Sequence, residues 1–124
     1  VVLFSCSGSR LSDMLFEETI RHREACFPSP AAFVYTLPNI VTGEIAIRHH
    51  IQGETAFYVL RAFNPETICH IVRETIADAD LHRAFVGWID IDTDRLDARA
   101  VLCVDRPHGN SPELTPEALL QLFP

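Results

Sequence analysis

Hydrophobic and polar residues follow two patterns along the chain, one typical of buried strands and one typical of amphipathic helices. Residues 1–7 form an apolar run that Gly8 ends, which predicts a first strand. A helix that continues to about Glu24 is predicted next, with Ser9 or Ser12 as its N-cap. Its apolar positions recur at helical spacing and are Leu11, Met14, Leu15, Phe16 and Ile20. Pro28-Ser29-Pro30 predicts a turn or a stiff extended link after this helix.

A second helix is predicted from Pro38, a residue that suits a first helical turn, to about His50. Gly43 interrupts its apolar pattern. Because an interior glycine costs about 1 kcal/mol relative to alanine, we expect close backbone packing at this position. Gly53 follows as a natural terminator.

The middle of the chain predicts a strand followed by a buried helix. Residues 54–63 are apolar on both faces, so we expect a strand that lies centrally in a sheet. Asn64-Pro65-Glu66 supplies a cap, a first-turn proline and an acid at the positive end of the helix dipole. The buried stripe predicted for this helix contains Ile68, Ile71, Val72, Thr75, Ile76 and Ala79.

Two further strands are predicted at residues 84–92 and 99–104, and the short link of residues 93–97 allows them to pair as a hairpin. A loop at residues 107–112 precedes a final helix that begins near Thr115. The resulting order, β-α-α-β-α-β-β-α, predicts a layered α/β fold whose mixed sheet has about four strands with helices packed on it. The length of 124 residues suits one domain, residues 1–124.

Charge and hydropathy narrow the classes of function. The formal net charge is −7, whereas nucleic-acid binders usually carry a basic surplus, so nucleic acid is not an expected partner. Neither a run of about 20 apolar residues nor a signal-peptide pattern is present, and we expect a cytoplasmic protein without membrane attachment. The basic clusters at residues 21–23 and 48–50 are expected to be solvated helix ends.

The four cysteines, Cys6, Cys26, Cys69 and Cys103, form no C-x-x-C pair, so neither disulfides nor a zinc site are expected, and no cofactor is predicted. Cys6 and Cys103 lie in apolar runs and are expected to behave as small hydrophobic residues. The turn Cys6-Ser7-Gly8-Ser9 could hold an anion or activate a thiol. Because a G-x-S-x-G elbow is missing, a buried cysteine beside a capping serine is the favoured interpretation.

The acidic residues near the hairpin suggest calcium at first sight, but their spacing is wrong for it. They are Asp90, Asp92, Asp94 and Asp97. An EF-hand loop that began at Asp90 would need glycine and glutamate where Arg95 and Val101 stand. We therefore expect these acids on the solvated face of a hairpin, where they also protect a strand edge from aggregation.

The stretch from Leu37 to Asp90 resembles the β-ketoacyl synthases, a family of thiolase-like condensing enzymes. The segment 39–53 reads NIVTGEIAIRHHIQG, similar to the family's helix that precedes the strand ending at the nucleophilic cysteine. The strand of residues 84–91, with Gly87, and the opening Phe4-Ser5-Cys6-Ser7-Gly8 also resemble family segments. The resemblance covers roughly residues 1–105 and implies a thiolase-like half-fold. The chain starts without methionine inside a predicted strand, and we expect an incomplete domain of the N-terminal ketosynthase type.

The departure from the family lies at the nucleophile. Counted from Gly53, the position of the catalytic cysteine falls within one residue of Ala62. The family carries its acyl chain as a thioester on a thiolate, and alanine can neither form that bond nor attack. Cys69, seven residues later in the predicted helix, cannot replace it. The family's second half, which supplies the histidines that stabilise the oxyanion, has no counterpart in these residues.

Three functions follow as expectations. The first is a non-catalytic ketosynthase-like protein, similar to chain-length factors, that acts in fatty-acid, polyketide or polyene biosynthesis. The family resemblance implies dimerisation through the strand before the cysteine, here residues 54–62, with itself or with an active ketosynthase. The interface residues would be Thr55, Phe57, Val59 and Arg61. An acyl carrier protein is a further implied partner, but carriers and this chain are both acidic, so docking is expected only near Arg48.

The second expectation is that the chain is a fragment of a longer condensing enzyme whose other segments complete the active site. The third is a small enzyme that uses Cys6 as its nucleophile together with a histidine. Slow reaction of Cys6 with a thiol probe at neutral pH would exclude the third.

Overall fold

In the part of the chain that the computed structural model describes, four strands form one sheet, and there are five helices. The structure describes residues 1–21, 24, 26–78, 81–105 and 109–123. The strands are β1 (Val2–Ser5), β2 (Ala56–Val59), β3 (Arg83–Asp92) and β4 (Arg95–Val104). The helices are α1 (Arg10–Ile20), α2 (Pro30–Val34), α3 (Ile40–His49), α4 (Pro65–Asp78) and α5 (Pro116–Leu122). The α/β class and the mixed sheet of four strands are as the sequence predicts.

The strand order is β2-β1-β3-β4, with β1 parallel to both of its neighbours and β4 antiparallel to β3. The parallel pairs need crossovers, and helices supply them because a parallel connection cannot be made by a tight turn. The strand β1 is therefore central, which explains why its residues Val2 to Ser5 are buried throughout. Both β2 and β4 are outer strands.

One face of the sheet holds the main core. Side chains alternate between the faces of a strand, so Val2 and Phe4 lie on the same side as Val86 and Trp88 of β3. They pack against α4 and α5, whose buried members are Ile68, Cys69, Val72 and Leu119. Phe63 packs edge-to-face on Trp88 with ring centroids 5.2 Å apart, so the segment after β2 is anchored to this core. Ala79, the last member of the predicted stripe of α4, lies outside the described residues.

The helices α1 and α3 lie toward the opposite face, over β2 and part of β3. A cavity of about 260 Å³ separates them from the sheet and is lined by Phe57, Ile89 and Ile91 on the sheet side. In α3 the buried hydroxyl of Thr42 donates to the backbone oxygen of Asn39 at 2.7 Å, so its polar atom is satisfied. The described part of α1 has no buried residue, so this layer is packed more loosely than the other.

The prediction that residues 54–63 form a central strand is wrong, because β2 lies at the margin of the sheet. Helices cover both faces of this three-layer arrangement, and an outer strand between them needs apolar residues on both faces too. An apolar pattern on both faces therefore indicates that helices lie above and below β2. It is the same whether the strand has one adjacent strand in the sheet or two.

Three further features differ from the predictions. The hairpin link has two residues, Thr93 and Asp94, because Asp92 already pairs with Arg95 and β4 begins there. The Pro28-Ser29-Pro30 segment starts a helix, α2, since the Ser29 hydroxyl accepts from Ala32 N at 3.2 Å and Pro30 occupies the first turn. The predicted first helix ends at Ile20, short of Glu24.

The expected close packing at Gly43 is wrong, since a Cβ built there would meet nothing within 4 Å. The helix that contains Gly43 ends at His49. Its C-cap, His50, has a left-handed backbone with φ 54° and donates its amide to the carbonyls of Ala46 and Ile47. His50 therefore ends the helix, and Gly53, the predicted terminator, lies three residues beyond it.

Replacing Gly87 by alanine is expected to destabilise the protein by about 1–3 kcal/mol. A Cβ at this position would lie 2.9 Å from Leu3 Cδ2 and 3.3 Å from the backbone oxygen of Arg99. Leu3 is fully buried, so its side chain can shift only against other core atoms, and the Arg99 oxygen belongs to the backbone of the paired strand. Chemical denaturation measures the change.

Gly43→Ala is the matched control, because open space surrounds this helical position. It is expected to raise the unfolding free energy by up to about 1 kcal/mol. A Gly87→Ala variant as stable as the wild type would show that Leu3 does not occupy the space beside Gly87.

Candidate functional site

The outer edge of β2 carries backbone groups that its neighbour β1 does not use. The amides of Ala56 and Leu60 donate to the carbonyls of Val1 and Ser5, at 2.9 and 2.8 Å. Because successive amides of a strand point in opposite directions, those of Phe57 and Val59 point away from β1. Among the described residues no strand lies beyond β2. This edge is a template for a further strand.

The four residues expected at the dimer interface lie along this edge. Phe57 and Val59 are within β2, while Thr55 and Arg61 flank it and are exposed. The two residues within the strand, Phe57 and Val59, share the backbone direction that faces away from β1. The Val59 side chain is 58 % exposed, whereas Phe57 is half-buried and lines the cavity beneath α3.

Ala62 lies in the short segment between β2 and α4 and is exposed. The helix that follows is capped, since Asn64 Oδ1 accepts from the amide of Thr67 at 2.7 Å. A strand followed by a capped helix is present as predicted, but β2 ends at Val59, so Ala62 lies after the strand and not within it. Its methyl group offers no nucleophile. Cys69 is buried in α4, and desolvation raises the pKa of its thiol, so it stays protonated inside the core.

The turn from β1 to α1 is organised by a carboxylate from β3. Asp90 Oδ1 accepts from Ser5 Oγ at 3.1 Å, from the Cys6 amide at 3.2 Å and from the Ser7 amide at 2.8 Å. Ser5 Oγ in turn accepts from the amide of Gly8 at 2.9 Å. Gly8 has φ +59°, a conformation that favours glycine. The donors that could have held an anion at this turn are thus directed at the protein's own carboxylate.

These contacts set the charge state of Asp90. Burial alone would raise the pKa of the carboxyl, but hydrogen bonds from Cys6, Ser7 and Ser5 stabilise the ionised form and together lower it well below its ordinary value. Asp90 is therefore ionised at neutral pH. It is not simply a solvated acid on the wet face of the hairpin, as the sequence suggested, because it ties β3 to the turn after β1.

Cys6 is exposed, so the prediction of a buried cysteine at this position is wrong. The strand ends one residue earlier, at Ser5, and Cys6 belongs to the turn. Its Sγ donates to Asp90 Oδ2 at 2.9 Å. This hydrogen bond, followed by desolvation and the negative charge of Asp90, raises the pKa of the thiol. Ser9, the other part of the favoured interpretation, makes no side-chain cap bond and instead donates to Asp13.

Cys6 is expected to react slowly with a maleimide at neutral pH, because the thiolate is the reactive form and Asp90 disfavours it. Asp90→Ala should accelerate the labelling severalfold, as followed by mass spectrometry of the native protein. The exposed Cys26 serves as the internal reference. Faster labelling of Cys6 than of Cys26 would contradict this assignment.

Two of the remaining acids near the hairpin, Asp92 and Asp97, make ion pairs, and Asp94 is exposed in the turn. Asp92 lies 3.6 Å from Arg10, and Asp97 lies 2.8 Å from Arg99 and 3.2 Å from Arg95. Across the part of the chain that the structure describes, no group of three or more His, Cys, Asp or Glu side chains could hold a metal ion. Likewise, none of the described helices has the length and apolar character to cross a membrane.

The basic cluster Arg48-His49-His50 lies at the C-terminal end of α3, as predicted, and is exposed. Of the cluster at residues 21–23, only Arg21 is described, and it lies 3.7 Å from Glu17. His70 is exposed while the adjacent Cys69 is buried, so the two residues face different sides of α4, as expected.

Comparison with known proteins gives no match: no protein-family model fits the chain, and no curated protein is significantly similar to it. Function is therefore inferred from three features of the structure: the edge of β2, the link that contains Ala62, and the turn bound by Asp90.

Proposed function

We propose that the chain is a non-catalytic relative of the β-ketoacyl synthases that associates through the outer edge of β2. The observation that carries the proposal is the position of β2, an outer strand that leads through a short link with Ala62 into a capped helix. In the family that this chain resembles, the corresponding strand pairs antiparallel across a two-fold axis. The free amides of Phe57 and Val59 fit that role.

The lack of a nucleophile supports a role other than condensation. Ala62 has no reactive atom, Cys69 is buried, and Asp90 disfavours the thiolate of Cys6. Condensation needs a thiolate that accepts an acyl group as a thioester. The mixed sheet with helices on both faces is the arrangement that the proposed thiolase-like half-fold requires. The role that remains is that of a partner, paired with a second copy or with an active ketosynthase in fatty-acid, polyketide or polyene biosynthesis.

A longer condensing enzyme, of which these residues are one part, is the second candidate. Large apolar side chains on the α1 and α2 side are exposed, which favours further polypeptide over this layer. They include Leu15 at 58 %, Phe33 at 51 % and Tyr35 at 54 %. A complete coding sequence with a pair of histidines in a second half would support this candidate. Ala62 still argues against ordinary condensation.

Substituting Val59 by lysine tests the proposed edge. Val59 is 58 % exposed, so the change should alter the stability of the separate subunit by no more than about 0.5 kcal/mol. A lysine on an edge strand opposes strand pairing, because its charge would have to be desolvated. Analytical ultracentrifugation at micromolar concentration should show that the wild type associates and that V59K forms a smaller species.

The matched control is Leu120→Lys, which places the same charge on an α5 leucine that is 53 % exposed. It should leave the assembly unchanged. A wild-type chain that stays monomeric, or a V59K variant that associates as the wild type does, would count against the β2 interface.

A further inference from the structure

The antiparallel pair β3–β4 has one face that consists of apolar residues, and the β4 half of this face is uncovered. On the β3 half, Gly87 is buried, and Ile89 and Ile91 also line the cavity beneath α1 and α3. On β4, this face presents alternate residues, all of them exposed: Leu96, Ala98, Ala100 and Leu102. Their cross-strand partners on β3 are Ile91, Ile89, Gly87 and Phe85. We call these eight residues the hairpin face. None of the eight residues of the hairpin face is polar, whereas the solvated face of an antiparallel sheet normally carries polar side chains.

The hairpin face is large enough to be a contact surface. Leu96 is 71 % exposed, Leu102 is 62 % exposed and Ile91 is 41 % exposed. Together these three side chains present on the order of 300 Å² of apolar surface, within the range in which patches on monomers are often functional. The alanines add to this area, so two such faces bury on the order of 800 Å², which is the size of a weak or transient contact.

The order of side-chain sizes along β4 is symmetric. Leucines stand at both ends, Leu96 and Leu102, and alanines stand between them. A two-fold axis between Ala98 and Ala100 would exchange the two leucines, as an isologous contact requires. The strand span from 96 to 102 is about 20 Å, since each residue adds about 3.3 Å. Leu96 of one copy would then lie over Leu102 of the other, on either side of the facing alanines.

The charges at the two ends of the hairpin face are complementary under the same axis. The turn end carries the exposed acid Asp94 beside Arg95, which pairs with Asp97. The opposite end carries the exposed Arg83 beside the paired His82 and Asp105. A two-fold rotation places the acidic end of one copy over the basic end of the other. This charge pattern, together with the symmetric sizes and the apolar area, identifies a second copy of the chain as the occupant.

We propose that the hairpin face binds the hairpin face of a second copy across a two-fold axis. This contact is separate from the β2 edge, because β2 and β4 are the opposite margins of the sheet. A chain that uses both surfaces forms species larger than a dimer. The two interfaces can therefore be removed independently.

Substituting Leu102 by lysine tests the proposal. The side chain is mostly exposed in the separate subunit, so the fold is retained, and circular dichroism verifies it. A lysine buried without a partner should weaken association through the hairpin face by a factor of about ten or more. Leu120→Lys is again the control, with a similarly exposed leucine on α5. L102K should reduce the assembly, whereas L120K should not.

Combining L102K with V59K separates the two interfaces. If both exist, each single variant is a dimer and the double variant is a monomer. If only the hairpin face is correct, the wild type is a dimer that L102K alone dissociates. If only the β2 edge is correct, V59K alone dissociates it, and the present inference is overturned. A monomeric wild type at micromolar concentration overturns both.

A cross-link gives a second measurement that does not depend on weakening the contact. In a chain with Cys6 and Cys26 replaced by serine, Ala98→Cys places a thiol beside the proposed axis. A short bismaleimide should then join two copies in high yield, whereas Leu120→Cys should give little product. Equal yields from the two positions would contradict the face-to-face contact.

Discussion

Replacing Phe4 by alanine is expected to lower the free energy of unfolding by about 3–5 kcal/mol. Phe4 is fully buried on the central strand β1 and stacks on Tyr58 with ring centroids 5.4 Å apart. It also belongs to the core that joins the sheet to α4 and α5. Domains of this size are stable by about 5–15 kcal/mol in total, so the loss is a large fraction of the whole. Urea denaturation followed by circular dichroism measures it.

Phe27→Ala provides the control with the same chemistry, since Phe27 is 83 % exposed. Its cost should stay within about 0.5 kcal/mol. Similar costs for the two substitutions would mean that Phe4 is not in the core, and the strand order around β1 would then be wrong.

Replacing Asp90 by alanine is expected to cost about 2–3 kcal/mol at neutral pH. The carboxylate accepts hydrogen bonds from Ser5, from both the amide and the thiol of Cys6, and from the Ser7 amide. Hydrogen bonds to a charged group contribute about 1.5–3 kcal/mol each when they are buried, and water compensates partly at this half-buried site. Asp90→Asn retains an acceptor oxygen but loses the charge, so it should cost less, about 1–2 kcal/mol.

The loss of unfolding free energy caused by Asp90→Asn is expected to depend on pH, because the hydrogen bonds to the Asp90 carboxylate lower its pKa. The pKa of this carboxyl is lower in the folded protein than in the unfolded chain. Its contribution is therefore fully present above the unfolded pKa, near 4, and is lost as the pH falls through the folded pKa. The wild type and the asparagine variant should differ most at pH 6–7 and converge below pH 4.

Asp94→Asn is the control for these measurements, because Asp94 is exposed in the hairpin turn. It should change stability little at any pH from 3 to 7. A difference between wild type and Asp90→Asn that stays constant down to pH 3 would show that the charge of Asp90 does not stabilise the turn.

Local signals predicted most of the fold. Interactions between residues close in sequence determine the start of α4 at Asn64-Pro65. They also determine the helix that precedes β2 and the two strands of the hairpin. The position of β2 in the sheet could not be predicted in this way. Its apolar residues on both faces indicate helices above and below the strand, but they do not indicate how many strands lie beside it. The order β2-β1-β3-β4 is decided by contacts between distant segments.

The candidate site was predicted unevenly for the same reason. The spacing from Gly53 placed Ala62 at the end of a predicted strand, whereas β2 ends at Val59 and Ala62 lies in the link to α4. The Asp90 contacts join residues 83 to 85 positions apart, so no local pattern reveals them. One pattern in the sequence could have predicted the contacts of Asp90. Ser5-Cys6-Ser7 stands at the end of one strand and Asp90 near the end of another, and parallel neighbouring strands end at the same side of a sheet. The hairpin face was recoverable from the alternation of leucine and alanine in β4.

Amide hydrogen exchange along β2 tests the central claim most directly, because neighbouring amides serve as each other's controls. Those of Ala56 and Leu60 donate to β1 and should exchange slowly at every concentration. Those of Phe57 and Val59 point outward and should exchange quickly in dilute solution, then become protected as concentration promotes association. If Phe57 and Val59 still exchange quickly where the chain is associated, association through β2 is contradicted.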